Sequence, residues 1–246
     1  MGKMGSEPSL LPNSYQHKKG SSMFISVIIP VLHETKINHF LSDLLEKKGK
    51  ETLEIIVVDG DSMGSTLNLI SDKTVKKMTS AKGRAIQQNK GAEKASGDIL
   101  LFLHADTLLP HYFAQLIRQV IYSGNCGGAF DLCIDSSHPF LKLVSRVASI
   151  RSRVTRIPYG DQAIFLTRDF FLQINGFPEI PLMEDIALMQ NIKKTQAGFK
   201  ILPQKVLTSD RKWMKDGMIY TSLRNPLLAI LYYMGVPPRV LVKFYY

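Results

Sequence analysis

Three short apolar runs, each ending in a turn rich in acidic residues or histidine, constrain this chain more than any other feature. They occupy residues 24–30 (FISVIIP), 53–58 (LEIIVV) and 99–103 (ILLFL). Each is too short for a core helix and lacks polar alternation, the pattern of a strand buried on both faces. Helical periodicity separates them. Residues 37–48 place Ile37, Phe40, Leu41, Leu44 and Leu45 on one face, and residues 83–95 form a second helix closed by Ser96-Gly97. Alternation of this kind predicts an α/β fold with a mostly parallel central sheet flanked by helices and joined by right-handed crossovers.

The rest of the chain is less regular. A short helix is expected near 66–71, a weak strand at 75–78, and a helix opened by Pro110 and running to about 123. Beyond it, 128–134 and 162–167 have strand character. Residues 140–152, 169–174, 184–197 and 217–234 read as helices, the last interrupted at Pro226. These segments predict a single domain over 23–246, divided near residue 125 into a nucleotide half and an acceptor half. Residues 1–22, rich in Ser, Gly, Pro and Lys, are expected to be a mobile leader outside the fold.

Composition narrows the function classes. With two cysteines, Cys126 and Cys133, a disulfide scaffold is excluded, a zinc site cannot be completed by cysteine alone, and a reducing, cytoplasmic setting is expected. The longest apolar run, 227–236, is too short to span a bilayer. A formal net charge of +10 favours anionic ligands: nucleotide phosphates, nucleic acid or membrane headgroups. No helix-turn-helix, zinc-finger or RNA-binding spacing supports nucleic acid. The charge clusters in 142–156, which holds Lys142, Arg146, Arg151, Arg153 and Arg156 without an acid, and in 205–246.

Open parallel sheets bind ligands beyond the carboxyl ends of their strands. Those positions carry Pro30 and Glu34 after the first run, Asp59 and Asp61 after the second, and His104 and Asp106 after the third. An Asp after a strand commonly serves only its turn. The coincidence of these groups on one edge favours a site. Neither GxGxxG nor GxxxxGK[ST] is present, which disfavours a dinucleotide dehydrogenase and a P-loop ATPase. Phosphate charge would instead be met by a divalent cation on Asp106 with His104, either Mg²⁺ or Mn²⁺, and by Lys82 and Arg84 at a helix start. Glu184 and Asp185 open a later helix, where acids serve the dipole or act as a base. Asp161 and Gln162 follow Gly160 in a turn able to read hydroxyls, and Arg211-Lys212-Trp213 sets the lone tryptophan beside two cations.

The ordered series SVIIPVLHE, IIVVDGDS, KGRAIQQNKGA, GDILLFLHADT, PYGDQAIF and GFPEIPLMEDIAL resembles family 2 glycosyltransferases of the GT-A fold. More narrowly it resembles a small bacterial group, the radical-SAM/selenodomain-associated transferases. The resemblance runs from about residue 24 to the C-terminus. It implies an inverting, metal-dependent transfer of a sugar from a nucleotide-diphosphate sugar to a hydroxyl acceptor. Pro30, Glu34, Asp59 and Asp61 then belong to the nucleoside side, with Lys82, Arg84 and His104 near the donor. Asp106 matches the last acid of the DxD metal motif, whose first acid is replaced by His104. Asp185, paired with Glu184, matches the acceptor base. Asp161 and Gln162 fall near the acceptor, and Arg211, Lys212 and Trp213 near the acceptor or diphosphate.

Two other functions compete: nucleotidyl transfer, and non-catalytic binding of a nucleotide-sugar or membrane surface. Over 218–246 an apolar stripe with Arg224, Arg239 and Lys243 would suit a lipid-linked acceptor and peripheral attachment at the inner face of the membrane, packing on the domain itself, or a homodimer contact.

Overall fold

The computed structural model describes residues 22–245. The leader expected at 1–22 therefore lies, but for Ser22, outside the described residues. The strands and helices are β1 (Ile25–Val31), α1 (Ile37–Lys48), β2 (Leu53–Asp59), β3 (Lys76–Thr79), α2 (Arg84–Lys94), β4 (Ile99–Phe102), β5 (Thr107–Leu108), α3 (Phe113–Tyr122), β6 (Gly127–Asp135), α4 (Pro139–Thr155), β7 (Phe165–Thr167), α5 (Arg168–Gln173), α6 (Glu184–Lys194), β8 (Phe199–Ser209), α7 (Arg211–Asp216), α8 (Met218–Tyr233) and α9 (Pro238–Leu241). The sheet order is β3-β2-β1-β4-β7-β6-β8-β5.

The three apolar runs become β1, β2 and β4, parallel neighbours at the heart of the sheet. Successive side chains leave a strand on opposite faces. Ile25, Val27 and Ile29 of β1 therefore join Phe40 and Leu44 of α1 and Phe113 and Ile117 of α3 in one core. Ile28 faces the other way and joins Ile56, Val58 and Phe102 under α2 and α6. Contact with α2 is close: a Cβ on Gly91 would lie 2.5 Å from Ile28 Cγ2, so only glycine fits there.

The parallel tract ends at β4. β7 runs antiparallel between β4 and β6, β6 and β8 are parallel, and β5 closes the edge antiparallel to β8. β7 is too short to cover β6, and α4 completes the edge with hydroxyls. Leu132 N–H donates to Ser149 Oγ (3.1 Å) and Ile134 N–H to Ser145 Oγ (2.9 Å), while Gln162 Nε2 donates to Phe130 O (2.8 Å). Buried backbone polar groups need such partners. The inner face of α4 therefore carries Ser145, Ser149 and Ser152 beside Leu141.

Several expectations need correction. β8 went unrecognised in the sequence because Pro203-Gln204 interrupts its alternation. The pairing register with β6 shifts there, from Phe130↔Leu202 to Asp131↔Lys205, which is a bulge. The third helix starts at Phe113, not Pro110, because Tyr112 turns left-handed (φ 59°) and Thr107–Leu108 pair with β8. Gln162 sits in a 3-10 turn, and the strand begins only at Phe165. α8 continues through Pro226, with Thr221, Arg224, Leu228 and Ala229 buried on both sides of it.

Glu54 ties the edge together. It is buried, accepts from Ser26 Oγ, from Ser96 N–H (2.8 Å) and Oγ (2.9 Å), and pairs with Lys76. Burial alone would raise its pKa; these donors instead hold it down, from 4.5 to about 2. A depressed carboxylate stabilises the fold above its ordinary pKa, and that contribution disappears as pH falls from 4.5 toward about 2. Glu54→Gln should cost on the order of 2–3 kcal/mol at neutral pH. Urea unfolding across pH should show the difference from wild type shrinking over that acid window.

Candidate active site

Because β1, β2 and β4 are parallel and in register, their last residues deliver the following turns to one rim. Val31 pairs with Asp59 across β1 and β2, and Ile28 with Phe102 across β1 and β4. Gln87 of α2 fixes this rim, donating Nε2–H to Val31 O (2.7 Å) and Val58 O (2.8 Å). The β2 turn is braced internally. Asp59 accepts from Asp61 N–H (3.0 Å) and Thr66 N–H (2.9 Å), and Asp61 from Met63 N–H (3.1 Å) and Ser65 N–H (3.3 Å). The Ser65 and Met63 donors hold Asp61 below the usual carboxylate range. Both acids thus shape the loop through bonds made within it.

Beside that rim lies a cleft of about 210 Å³. Arg84, His104, Asp106, Asp161, Asp185 and Lys212 line it, with Tyr159, Trp213 and the inner side of α8. Seven groups singled out in the sequence, Trp213 included, therefore converge, from α2, the β4 turn, the 160–162 turn, α6 and α7. Asp185 Oδ2 accepts from Gly160 N–H (2.8 Å), and Oδ1 from Ile186 N–H (2.7 Å) at the start of α6. Gly160 sits between the two walls: a Cβ there would come within 3.0 Å of His104 Nε2 and 3.6 Å of Asp185 Oδ2. Backbone strain flanks this point, since Ala163 (φ 49°) and Met183 (φ 66°) are left-handed without being glycine. Such strain often marks functional sites.

Electrostatics separate the titratable groups. Burial, reinforced by Arg84, lowers the His104 pKa and favours neutral imidazole. Burial and the charge of Asp185 push Asp161 up to about 6, and its Oδ1 is buried without a hydrogen-bond partner among the described residues. Burial, then Arg224 and Arg84, bring Lys212 down to about 8. Its Nζ lies 3.4 Å from the Tyr245 ring centroid.

Other candidates stand outside the cleft. Glu184 points away from Asp185, as adjacent helix positions must. It is buried against Arg84 Nε (2.8 Å), and burial raises its pKa despite that pairing. Its place is behind the cleft, holding Arg84. Gln162 is fully buried, accepting from Ser152 Oγ (2.5 Å) and Tyr159 N–H (3.2 Å). It holds the 160–162 turn and cannot read a substrate hydroxyl in this position. Arg211 pairs with Glu34 (3.1 Å), joining α7 to the β1 turn. Lys82 is exposed, and Pro30 lies on β1 at the rim. Two aromatic residues of the cleft were not singled out from the sequence: Tyr159, capped by Arg151 at 3.4 Å, and Tyr245, brought in from the far C-terminus. No periodicity or spacing signals either of them.

His104 and Asp106 could hold a divalent cation. Neutral imidazole and carboxylate are suitable ligands. Among the described residues no group of three or more His, Cys, Asp or Glu is placed to hold a metal. The protein thus offers two ligands, and a ligand's phosphate oxygens and water would have to complete the shell.

The family model described as "Glycosyl transferase family 2" matches residues 26–168, more than half of the chain. No curated protein matches it. Among solved structures, the crystal structure of S. aureus TarS 1-349 is similar in fold. Its TM-score is 0.59 at 17% sequence identity, over 82% of this chain and 64% of that one. This chain thus spans less than two thirds of that structure.

Gly160→Ala should disturb the cleft without disturbing the fold. The imidazole of His104 must yield by a few tenths of an ångström. Thermal unfolding should stay near wild type, while turnover falls by about tenfold, since small misplacements of reacting groups are costly.

Proposed function

This chain belongs to glycosyl transferase family 2 and has a GT-A fold; we propose that it is a glycosyltransferase that moves a sugar, with inversion, from a nucleotide-diphosphate sugar to a hydroxyl acceptor. The observation that carries this reading is the meeting of His104 and Asp106, from the end of β4, with Asp185, from the start of α6, across Gly160 in one cleft. A leaving-group site and a base on opposite walls are what a one-step displacement requires. No covalent nucleophile is needed.

The cleft is smaller than the ~300–1,000 Å³ usual for whole ligands. It suits the sugar and diphosphate. The nucleoside would rest along the rim formed by Pro30, Glu34 and the loop that Asp59 and Asp61 brace. Asp185 accepts the proton of the acceptor hydroxyl as that oxygen attacks the anomeric carbon. The bond from that carbon to the diphosphate oxygen breaks, and its electron pair leaves with the nucleoside diphosphate. Arg84 and Lys212 face the charge that develops, with Lys82 and Arg211 farther out. A divalent cation on His104 and Asp106 would supply Lewis-acid neutralisation of the same charge. Asp161, with an unpaired buried oxygen, is placed to bind a hydroxyl of the acceptor or sugar, and Trp213 offers a ring face to either. Release of a nucleoside diphosphate, not pyrophosphate, distinguishes this reaction from nucleotidyl transfer.

Thermal unfolding with UDP-, GDP-, dTDP- and CDP-sugars, each with Mg²⁺, Mn²⁺ or chelator, tests the donor site. One nucleotide class should stabilise the protein, by about 2.7 kcal/mol at a hundredfold excess over Kd. The metal should bind tightly only with that nucleotide. No shift from any of them would overturn the reading. Asp185→Asn should lower transfer by about 10²–10⁴-fold with donor binding kept.

The pH profile provides a further check. Asp161 loses its charge as pH falls through about 6, and Lys212 as pH rises through about 8. Activity should therefore decline on both sides of that window. Asp161→Asn should remove the acid limb and Lys212→Arg the alkaline limb; limbs unchanged in both variants would refute these roles.

A further inference from the structure

Helix α4 is built inside out. Its buried face carries Ser145, Ser149 and Ser152, used by the β6 edge and the 159–162 turn. Its outward face carries Leu143, Val147, Ile150 and Val154, at the i, i+4, i+7, i+11 spacing of a single straight stripe. Their exposures are 56%, 56%, 61% and 79%. A surface helix normally shows the opposite pattern. A contiguous apolar stripe open to water marks an interaction surface.

The stripe does not stand alone. On α8, Ile219, Leu223, Leu227 and Ile230, with Met234 just past its end, are likewise exposed, while Leu228 and Ala229 are buried at the cleft. The two helices approach each other where Tyr233 of α8 comes within electrostatic reach of Arg151 of α4. No helix of the described residues is long and apolar enough to cross a membrane.

Charge selects the occupant. Lys142, Arg146 and Arg156 are exposed beside the α4 stripe, and 139–158 contains no acid. Arg153, also on α4, is matched by Asp131 (2.9 Å). Lys215, Arg239 and Lys243 are exposed around α8. Two copies pairing stripe to stripe would set these cations against one another with no acid on α4 to answer them. An anionic lipid surface accepts both the apolar stripe and its cationic border.

We propose that the outward faces of α4 and α8 form a two-helix docking surface for an anionic membrane, with Leu143, Val147, Ile150 and Val154 entering the headgroup–acyl boundary and Lys142, Arg146 and Arg156 contacting phosphates. The docking rests on this surface alone and does not depend on the transfer reaction. It places the α8 wall of the cleft between the active site and the lipid.

The test is co-sedimentation of the full chain with vesicles. Wild type should bind mixed phosphatidylcholine–phosphatidylglycerol vesicles and not pure phosphatidylcholine, more weakly as salt rises. Each exposed cation should contribute about a fivefold gain. Leu143→Ser/Val147→Ser/Ile150→Ser/Val154→Ser should lose at least about tenfold in binding, with thermal unfolding and nucleotide-sugar stabilisation unchanged. Lys142→Gln/Arg146→Gln, which leaves the stripe intact, should also weaken it. Equal binding to both vesicle types, or undiminished binding by both variants, overturns the proposal. So does a vesicle-free dimer by light scattering that the serine variant dissociates, because the stripe would then be covered by a second copy.

Discussion

The candidate active-site cleft depends on a register. β1, β2 and β4 run side by side in the same direction, with Val31 opposite Asp59 and Ile28 opposite Phe102, so three turns from distant parts of the chain emerge at the same edge. Gln87 secures that arrangement by bridging the carbonyls of Val31 and Val58, at the ends of β1 and β2, with one side-chain amide. A slip of one residue between neighbours would turn a core-facing side chain toward the opposite core and move His104 and Asp106 away from Asp185. The acidic turns make no register themselves. They inherit it from the apolar packing of Ile28, Ile56, Val58 and Phe102 beneath α2.

Around this rim, charges are arranged in pairs of unequal freedom. Glu184 is committed to Arg84, and Glu34 to Arg211. Asp185 is oriented by two backbone N–H groups, while Asp161 retains an oxygen without a partner. Glu184 and Glu34, tied to cations, hold the walls; Asp185, tied to the backbone, and Asp161, partly free, face the cleft. This division explains why adjacent residues such as Glu184 and Asp185 have different work.

Much of this was legible in the sequence, and the failures have physical causes. α1 appears at its predicted bounds because one apolar face at helical spacing leaves no alternative. Arg84, His104, Asp106, Asp161 and Asp185 were all singled out, since strand ends and helix starts are where polar residues gather in such a sheet. β8 was not legible because Pro203 and its bulge break the two-residue period. The burial of Gln162 was not legible either. A Gln after Gly-Asp looks like a turn residue facing solvent, and only the unpaired edge of β6 draws it inward. Lys212 stacking on Tyr245 depends on the C-terminal segment folding back, which leaves no local trace. The serine face of α4 was visible letter by letter, but its meaning depends on the shortness of β7.

That serine face has a consequence for how the protein can change over generations. Most surface helices are anchored by large apolar residues and present polar ones to water. α4 is anchored by buried Leu141 and by small hydroxyls gripping the β6 backbone, and its four exposed apolar side chains contribute little to holding it in place. Stability and surface identity are thereby written in different letters of the same segment. Selection can redraft the outer face of α4 to suit a new environment while the grip on β6, and the turn that positions Gly160, stay as they are.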